Sequence, residues 1–217
     1  GTLAAHVPLT GENRDIIVRG LQLMAPSGRP GLLELWIRVG QSAPEPTAGQ
    51  VSRLMNPVIE SAACYEEGDC GVELLVSRDR DQCVELAEHL LDLNERRRRD
   101  TIVAWNRLVP LARRISREHP EGGCLVVEDP ELMRGMTGFL SFRLSRFLNR
   151  PVAVVSCKDG VISGSIRISG DGADALELLT LASDLIMTSG GNQSAGEFVA
   201  EKQIIGELQQ CWSGSSY

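Results

Sequence analysis

Residues 124–169 read CLVVEDPELMRGMTGFLSFRLSRFLNRPVAVVSCKDGVISGSIRIS, and this stretch decides the fold. The apolar segment CLVVE has the composition of a buried strand. The segment from Asp129 to Arg150 begins with a helix-capping residue and predicts a helix. PVAVVSC then predicts a second strand, KDG a hairpin turn and VISGSIRIS a third strand. A helix between two strands, followed by a hairpin, predicts an α/β domain.

The residues after this stretch extend the same domain. Apolar residues at positions 176, 179, 182, 185 and 186 keep a helical period, so a helix is predicted from Asp174 to Met187. SAGEFVA, residues 194–200, predicts a further strand, and a short helix is expected near Lys202 to Cys211. The C-terminal part of the chain is therefore expected to be a βαββαβ unit with a mixed sheet.

The residues before the sheet are predicted to be helical. Short amphipathic segments fill the first 76 residues, and a helical period then continues from about Arg80 to Arg117. A helix of that length far exceeds the usual globular helix, so it is expected to join two domains. The predicted fold class is α/β, with a helical N-terminal part joined by a long connecting helix to a C-terminal α/β domain.

Composition restricts the class of protein. The 217 residues are 42% hydrophobic and carry a formal net charge of −7, so a core can form while the chain as a whole repels phosphate backbones. The six cysteines form no C-x-x-C pair and no histidine lies at ligand spacing from them, so neither a zinc site nor a disulfide framework is expected. Scattered reduced thiols suit a cytoplasmic protein. No apolar run is long enough to span a membrane, so no membrane partner is expected.

Three stretches together resemble the RecJ-like branch of the DHH phosphoesterase family. GTLAAHVPLTGENR, residues 1–14, resembles the end of the family's catalytic DHH domain. CGVELLVSRDRDQCVELAEHLLDLNERRR, residues 70–98, is similar to the segment leading into the helix between the two family domains. SGSIRIS and SGGNQSAGEF, residues 163–169 and 189–198, resemble two motifs of the DHH-associated domain.

The resemblance implies a domain organisation and an activity. Residues 1–79 would be the C-terminal portion of a DHH-type domain, residues 80–118 the connecting helix, and residues 119–217 the DHH-associated substrate-binding domain. The family hydrolyses phosphodiesters with metal ions. In RecJ relatives this implies 5′ to 3′ exonuclease action on single-stranded DNA in DNA repair, with Mn²⁺ or Mg²⁺ as the expected cofactor of the parent family.

The resemblance also implies a phosphate site. Arg167 matches the family's substrate-binding arginine, and Ser165 accompanies it. Gly190 and Gly191 are expected to form a turn whose backbone N–H groups approach a phosphate, with Asn192 in place of the family's histidine. Taken alone, the two glycines more often cap a helix.

A second set of basic residues is a possible nucleic-acid track. Arg143, Arg146 and Arg150, at i, i+3 and i+7, are expected to share one helix face. A solvated face is the ordinary interpretation of that spacing, and only the resemblance supports a track. With 4% aromatic residues, a base-stacking groove is not expected.

Several positions depart from the family pattern. The motif aspartate, a metal ligand, falls on Ala5, with His6 offset by one residue, and the motif's final glycine falls on Glu197. Other family positions are replaced at Val58, Glu60, Cys64, Asn192 and Gly196. No catalytic residue, metal or cofactor is therefore expected in this chain, and the chain alone is not expected to catalyse hydrolysis.

Three functional hypotheses remain open. The first is the nucleic-acid-binding, C-terminal portion of a RecJ-like exonuclease, with single-stranded nucleic acid as partner. The second is a degenerate, non-catalytic family member that binds nucleic acid or protein, which the departures favour. The third is a phosphoesterase of small molecules or short oligonucleotides. The sequence predicts no oligomeric state.

Overall fold

The structure is a computed structural model that describes residues 2–3, 8–24, 29–40, 46–120, 122–169 and 173–213. It divides into two compact units, Gly1–Arg98 and Arg99–Tyr217. The division falls within a continuous helix, in the run of arginines from Arg96 to Arg99. The three-part domain assignment from the sequence stays a prediction, and Ala5 and His6 lie outside the described residues.

The first unit is helical throughout its described part. Its elements are α1 (Gly11–Met24), α2 (Pro30–Arg38), α3 (Ala48–Gln50), a π-helical turn (Val51–Met55), α4 (Asn56–Ser61), a 3₁₀ turn (Ala62–Tyr65), α5 (Gly68–Val76) and the first part of α6 (Arg80–Glu118). The π-helical turn ends two residues before Pro57, which has no N–H to donate. The Asn56 N–H instead bonds to the Val51 carbonyl, five residues back.

One hydrophobic core holds the first unit together. Helices α2, α4, α5 and α6 all contribute to it, and its buried members are Leu35, Trp36, Met55, Val58, Ala62, Leu74, Cys83, Ala87, Leu90 and Leu93. Between the 3₁₀ turn and α5, Glu66 adopts the left-handed conformation with φ 63° and reverses the chain direction. Helices α5 and α6 then contribute to the same core, α5 through Leu74.

The second unit contains a five-stranded sheet. After the end of α6 its elements are β1 (Leu125–Glu128), a 3₁₀ turn (Arg134–Met136), α7 (Thr137–Leu148), β2 (Val152–Lys158), β3 (Val161–Arg167), α8 (Ala175–Leu181), β4 (Ile186–Asn192), β5 (Ala195–Glu201), a 3₁₀ turn (Lys202–Ile204) and α9 (Ile205–Ser213). The strand order is β1-β2-β3-β5-β4. Strands β1 and β2 are parallel and the other pairs antiparallel, so the predicted mixed sheet is confirmed.

The helix predicted from Asp174 to Met187 is wrong in its second half. Its start is right, because the Asp174 side chain accepts a hydrogen bond from the Leu176 N–H at 2.7 Å. Helix α8 nevertheless ends at Leu181, and residues from Ile186 onward form β4. Pairing with β5 gives the backbone of this segment hydrogen-bond partners. Leu185 and Ile186, near its start, pack against the hydrophobic core of the second unit. Helical spacing alone could not separate these outcomes.

The two faces of the sheet have different surroundings. One face carries Ile162, Ile166 and Phe198 and packs against α8 and α9, where the Trp212 indole donates to the Leu178 carbonyl at 2.7 Å. The opposite face carries the alternate residues of β3, and α7 contacts β2 and β3. Among the described residues, β4 pairs with β5 alone and forms an exposed edge of the sheet.

Candidate functional site

Strand register brings the predicted site residues onto one face of the sheet. Arg167 in β3 is paired with Ala195 in β5, which is paired with Asn192 in β4. The next row on the same face joins Ser165, Glu197 and Gly190. Directly paired residues project to the same side of a sheet. Arg167 and Asn192 are thus separated by one intervening strand, about 10 Å of backbone spacing.

The Arg167 guanidinium is already engaged in this structure. Its Nη2 donates to Glu197 Oε1 at 3.2 Å, and its Nη1 donates to the Ile166 carbonyl at 2.8 Å. Ser165 Oγ donates to the same Glu197 oxygen at 3.1 Å. Thr137, the first residue of α7, joins this network through its hydroxyl, 2.7 Å from Ser165 Oγ. A carboxylate therefore accepts from the two donors that the resemblance assigns to a phosphate.

The start of α7 lies directly beside Arg167. A Cβ on Gly138 would lie 2.8 Å from Arg167 Nη2 and 3.5 Å from Glu197 Oε1, so this glycine leaves room for the ion pair. Helix α7 continues from the 3₁₀ turn Arg134–Met136, and the Thr137 N–H donates to the Arg134 carbonyl. The Arg167 guanidinium is therefore the group here that attracts an anion. A groove of about 200 Å³ opens next to these groups, lined in part by Arg134, Thr137, Thr188, Gly190 and Glu197.

Gly190 and Gly191 do not form the predicted turn, because both belong to β4. Gly191 has φ 154°, and a Cβ there would lie 2.2 Å from the Ala195 carbonyl oxygen, so its glycine is required by the neighbouring strand. Gly190 borders the groove, and within the described part of the chain no atom lies within 4 Å of where its Cβ would be. The chain reverses after Asn192, whose Oδ1 accepts from the Ser194 N–H and from the Ala195 N–H.

The three predicted track arginines separate into two groups. Arg143 lies over the Trp105 ring at 4.1 Å, and Arg146 lies near the Phe142 ring at 5.7 Å. Arg150 does not share their face, because α7 ends at Leu148 and the chain reverses through a left-handed residue. Its guanidinium donates to the carbonyls of residues 119, 122 and 123. The predicted grouping of Arg150 with the other two is therefore wrong.

Aromatic residues are concentrated on the same helix. Phe139, Phe142 and Phe147 are each nearly half exposed, and they are three of the four phenylalanines in the chain. Trp105 contacts Phe147 edge to face at 5.8 Å, and Arg113 lies 4.9 Å from the same ring. We call these residues, with Arg143 and Arg146, the α7 surface. Overall composition argued against an aromatic binding surface, but the helical spacing gathers most of the phenylalanines on one face.

A second cluster of reactive side chains lies in the first unit. Glu67, Cys70 and His89 bring their ligand atoms within 4.8 Å of one another. The sequence analysis missed this cluster because His89 is separated from the other two by about twenty residues. The fold of the first unit brings them together, because α5 and α6 share its core.

Comparison with known proteins identifies relatives over nearly the whole chain. The single-stranded-DNA-specific exonuclease RecJ of Thermus thermophilus is 29% identical over 94% of this chain, and that of Dickeya dadantii is 31% identical over 97%. The crystal structure of T. thermophilus RecJ with Mn²⁺ matches 98% of this chain with 28% identity and a TM-score of 0.84. The homologues of this chain are thus RecJ single-stranded-DNA-specific exonucleases.

The chain covers only part of its RecJ relatives. It spans 29% of the T. thermophilus protein and 38% of the D. dadantii protein. A further structure, exonuclease RecJ bound to manganese, matches with a TM-score of 0.74 and is covered over 51% of its length. No protein-family model matches the chain. Within its described residues, no helix combines the length and apolar character needed to cross a membrane.

The candidate metal cluster among the described residues offers other donor atoms than the metals of the solved RecJ structures prefer. RecJ structures are described in complex with Mg²⁺ and with Mn²⁺, which are hard cations that prefer oxygen ligands. Among the described residues, the group able to hold a metal is Glu67, Cys70 and His89, which offers one oxygen, one sulfur and one nitrogen. That donor set does not fit the RecJ metals.

Proposed function

We propose that this chain is the single-stranded nucleic-acid-binding portion of a RecJ-like exonuclease, with Arg167 as the central phosphate ligand. The observation that carries the proposal is the convergence of Arg167, Ser165 and Thr137 on the face of the sheet that α7 contacts, beside the groove lined in part by Gly190 and Glu197. A planar guanidinium and hydroxyl groups are donors that recognise a phosphate.

The remaining site residues are assigned supporting roles. Gly190 borders the groove and leaves space for a ligand, because no atom of the described residues lies within 4 Å of where its Cβ would be. Gly191 acts through the backbone by allowing β4 to approach β5. The side-chain oxygen Oδ1 of Asn192 accepts the hydrogen bonds that stabilise the turn between β4 and β5. The side-chain NH₂ group of Asn192 is then the donor for a ligand.

The α7 surface is proposed as an extension of this site. Arg143, Arg146 and Arg113 supply positive charge, and the exposed phenylalanines supply flat apolar rings on which bases stack. The segment from Thr137 to Arg150 contains no acidic residue, in a chain of net charge −7. Arg150 is left out of this track because its guanidinium is bound to backbone carbonyls.

A specific observation also favours the second hypothesis, a non-catalytic family member. Glu197 replaces the glycine of the resembling motif, and its carboxylate accepts from both Arg167 and Ser165. An incoming phosphate would have to displace this carboxylate and approach its negative charge. We therefore propose weak phosphate binding, and we assign no step of hydrolysis, and no Mn²⁺ or Mg²⁺ ligand, to the described residues.

The proposal is tested by fluorescence anisotropy with a labelled oligothymidylate of about twelve nucleotides at several salt concentrations. Arg167→Ala is expected to weaken binding about tenfold and to lower the salt dependence by about one released counterion. Arg114→Ala is the matched control, because Arg114 is an exposed arginine of the same unit that pairs with Glu118. Absence of binding by the unaltered chain at low salt, or equal losses in both variants, would refute the proposal.

The biological setting follows from the same proposal. The RecJ relatives are bacterial proteins, and bacterial DNA lies in the cytoplasm, so we propose the cytoplasm as the location of this chain. Its partner is single-stranded DNA, as the RecJ relatives are named for that substrate.

A further inference from the structure

The cluster in the first unit combines three kinds of metal ligand. His89 Nε2 lies 2.6 Å from Glu67 Oε2, and the Cys70 thiol completes a group whose ligand atoms all lie within 4.8 Å of one another. The Glu67 and His89 side chains are each about 40% exposed, so an ion can reach them from solvent. A nitrogen, a sulfur and an oxygen thus converge at an accessible position.

The fold holds these side chains in place from two directions. Glu67 immediately precedes α5, and the Cys70 N–H donates to the Glu67 carbonyl at 3.0 Å, so the first turn of α5 fixes their separation. His89 lies on α6 between Ala87 and Leu90, both fully buried in the core. Because α5 contributes Leu74 to the same core, both elements are anchored close to the cluster.

We propose that Glu67, Cys70 and His89 form a Zn²⁺ site, separate from the proposed phosphate site. Zinc binds thiolate at about 2.3 Å and imidazole or carboxylate at about 2.0–2.2 Å, so tetrahedral ligands lie roughly 3.5 Å apart. The Glu67–His89 contact, at 2.6 Å, is shorter than that spacing, so binding requires these two side chains to separate and admit the ion. Three protein ligands leave a fourth position for water or a small anion.

The chemistry of the three donors favours zinc over the metals of the RecJ structures. Thiolate and imidazole select borderline and soft cations, whereas Mg²⁺ and Mn²⁺ select oxygen-rich sites. Asp69 and Glu73 lie near enough to affect the Cys70 thiol, so the surroundings of the site are acidic and favour a cation. The site is therefore expected to discriminate strongly between Zn²⁺ and Mn²⁺.

The protonation of Cys70 sets the pH dependence of binding. Burial, followed by the charges of Glu67 and Glu73, raises the pKa of Cys70 above its usual value. Zinc binding forms the S–Zn bond and releases the thiol proton to solvent, so the apparent affinity rises with pH.

Metal binding can be measured on the reduced chain by calorimetry with Zn²⁺ and by absorption spectroscopy with Co²⁺. We expect one ion per chain, with a dissociation constant on the order of micromolar, and a sulfur-to-cobalt charge-transfer band in the near ultraviolet. Cys70→Ser should abolish that band, and Cys70→Ser and His89→Gln should each weaken Zn²⁺ binding at least about tenfold. Mn²⁺ should give no stoichiometric binding under the same conditions.

A second cysteine provides the matched control. Cys211 is also partly exposed, but its thiol donates to the Leu181 carbonyl in the second unit. Cys211→Ser should retain both the cobalt band and the zinc affinity. Zinc binding weaker than about 100 µM, or a cobalt band that survives Cys70→Ser, would overturn the proposal. Circular dichroism and urea unfolding of each variant separate loss of ligand from loss of fold, and oligonucleotide binding is unaffected by either outcome.

Discussion

Glu197 and Arg167 are diagonal neighbours on adjacent strands, and their side chains form an ion pair with Nη2 and Oε1 3.2 Å apart. Ser165, directly opposite Glu197, donates to the same carboxylate oxygen. At the proposed phosphate site, both side-chain donors from β3 are therefore bound to a carboxylate of the neighbouring strand. A phosphate would compete with that carboxylate for Arg167.

Replacing Glu197 should strengthen nucleic-acid binding. Glu197→Gln removes the negative charge while it keeps the side-chain size, and Glu197→Gly also frees the space. Each is expected to raise oligonucleotide affinity about fivefold, because phosphate no longer competes with a carboxylate for Arg167. Fluorescence anisotropy at low salt measures the change.

The matched control removes a carboxylate elsewhere on the same strand. Glu201 ends β5, is exposed and is paired with Val161, so Glu201→Gln lowers the net negative charge equally without altering the Arg167 pair. An equal gain in affinity from both variants would mean that total charge, rather than competition for Arg167, controls binding.

Replacing Arg146 and replacing Arg150 should affect different properties, although the two residues are only four positions apart. Arg150 supports stability, whereas Arg146 supports oligonucleotide binding. Arg150→Ala removes charged donors from the carbonyls of residues 122 and 123 and should lower the free energy of unfolding by about 2 kcal/mol. Arg146→Ala should leave stability within about 0.5 kcal/mol of the original but reduce the salt dependence of oligonucleotide binding. Urea denaturation and anisotropy of both variants test this pair, and a loss of stability in Arg146→Ala would contradict it.

The adjacent glycines of β4 should also respond differently to substitution. Gly191→Ala places a Cβ 2.2 Å from the Ala195 carbonyl oxygen at a backbone conformation that favours glycine. It should cost more than about 1 kcal/mol of stability. Gly190→Ala meets open space and should change stability by less than about 0.5 kcal/mol. Urea unfolding of both variants measures the two losses of stability. Equal losses would contradict the prediction, because they would show that a side chain at position 191 does not clash with β5.

Local sequence signals predicted much of the sheet but not its edge. The strands at 152–158 and 161–167 are adjacent in sequence and joined by a hairpin turn, so their pairing is a local property. Strand β4 was missed because apolar residues near Leu185 continue a helical period beyond the true end of α8. The conformation of β4 depends on pairing with β5, and the spacing of apolar residues along the sequence does not predict that pairing.

The site was predicted in part for the same reason. The motif resemblance selected Arg167 and Ser165, and the strand register places them on one face. It did not predict that Glu197 would engage Arg167, because that contact depends on the alignment of β3 with β5. The cluster of Glu67, Cys70 and His89 depends on helix packing and leaves no spacing signal in the sequence.

The buried thiol of Cys124 should make the free energy of unfolding fall as the pH rises into the alkaline range. Cys124 is fully buried in the core of the second unit, and burial raises its pKa to about 12, with Arg150 acting in the opposite direction. In the unfolded chain the thiol titrates near its ordinary value of 9.0. Between those values the unfolded state binds fewer protons than the folded state, so the free energy of unfolding falls as pH rises.

The expected slope is about 1.4 kcal/mol per pH unit above pH ~9. Cys124→Ala removes this contribution while its small cavity lowers stability equally at every pH. The measurement is urea unfolding of the reduced protein and the variant at pH 8, about 9 and about 10. The two stability curves should converge as pH rises, since only the original chain loses the thiol contribution. Parallel curves would contradict the prediction, because they would mean that Cys124 ionises as readily in the folded protein as in the unfolded chain.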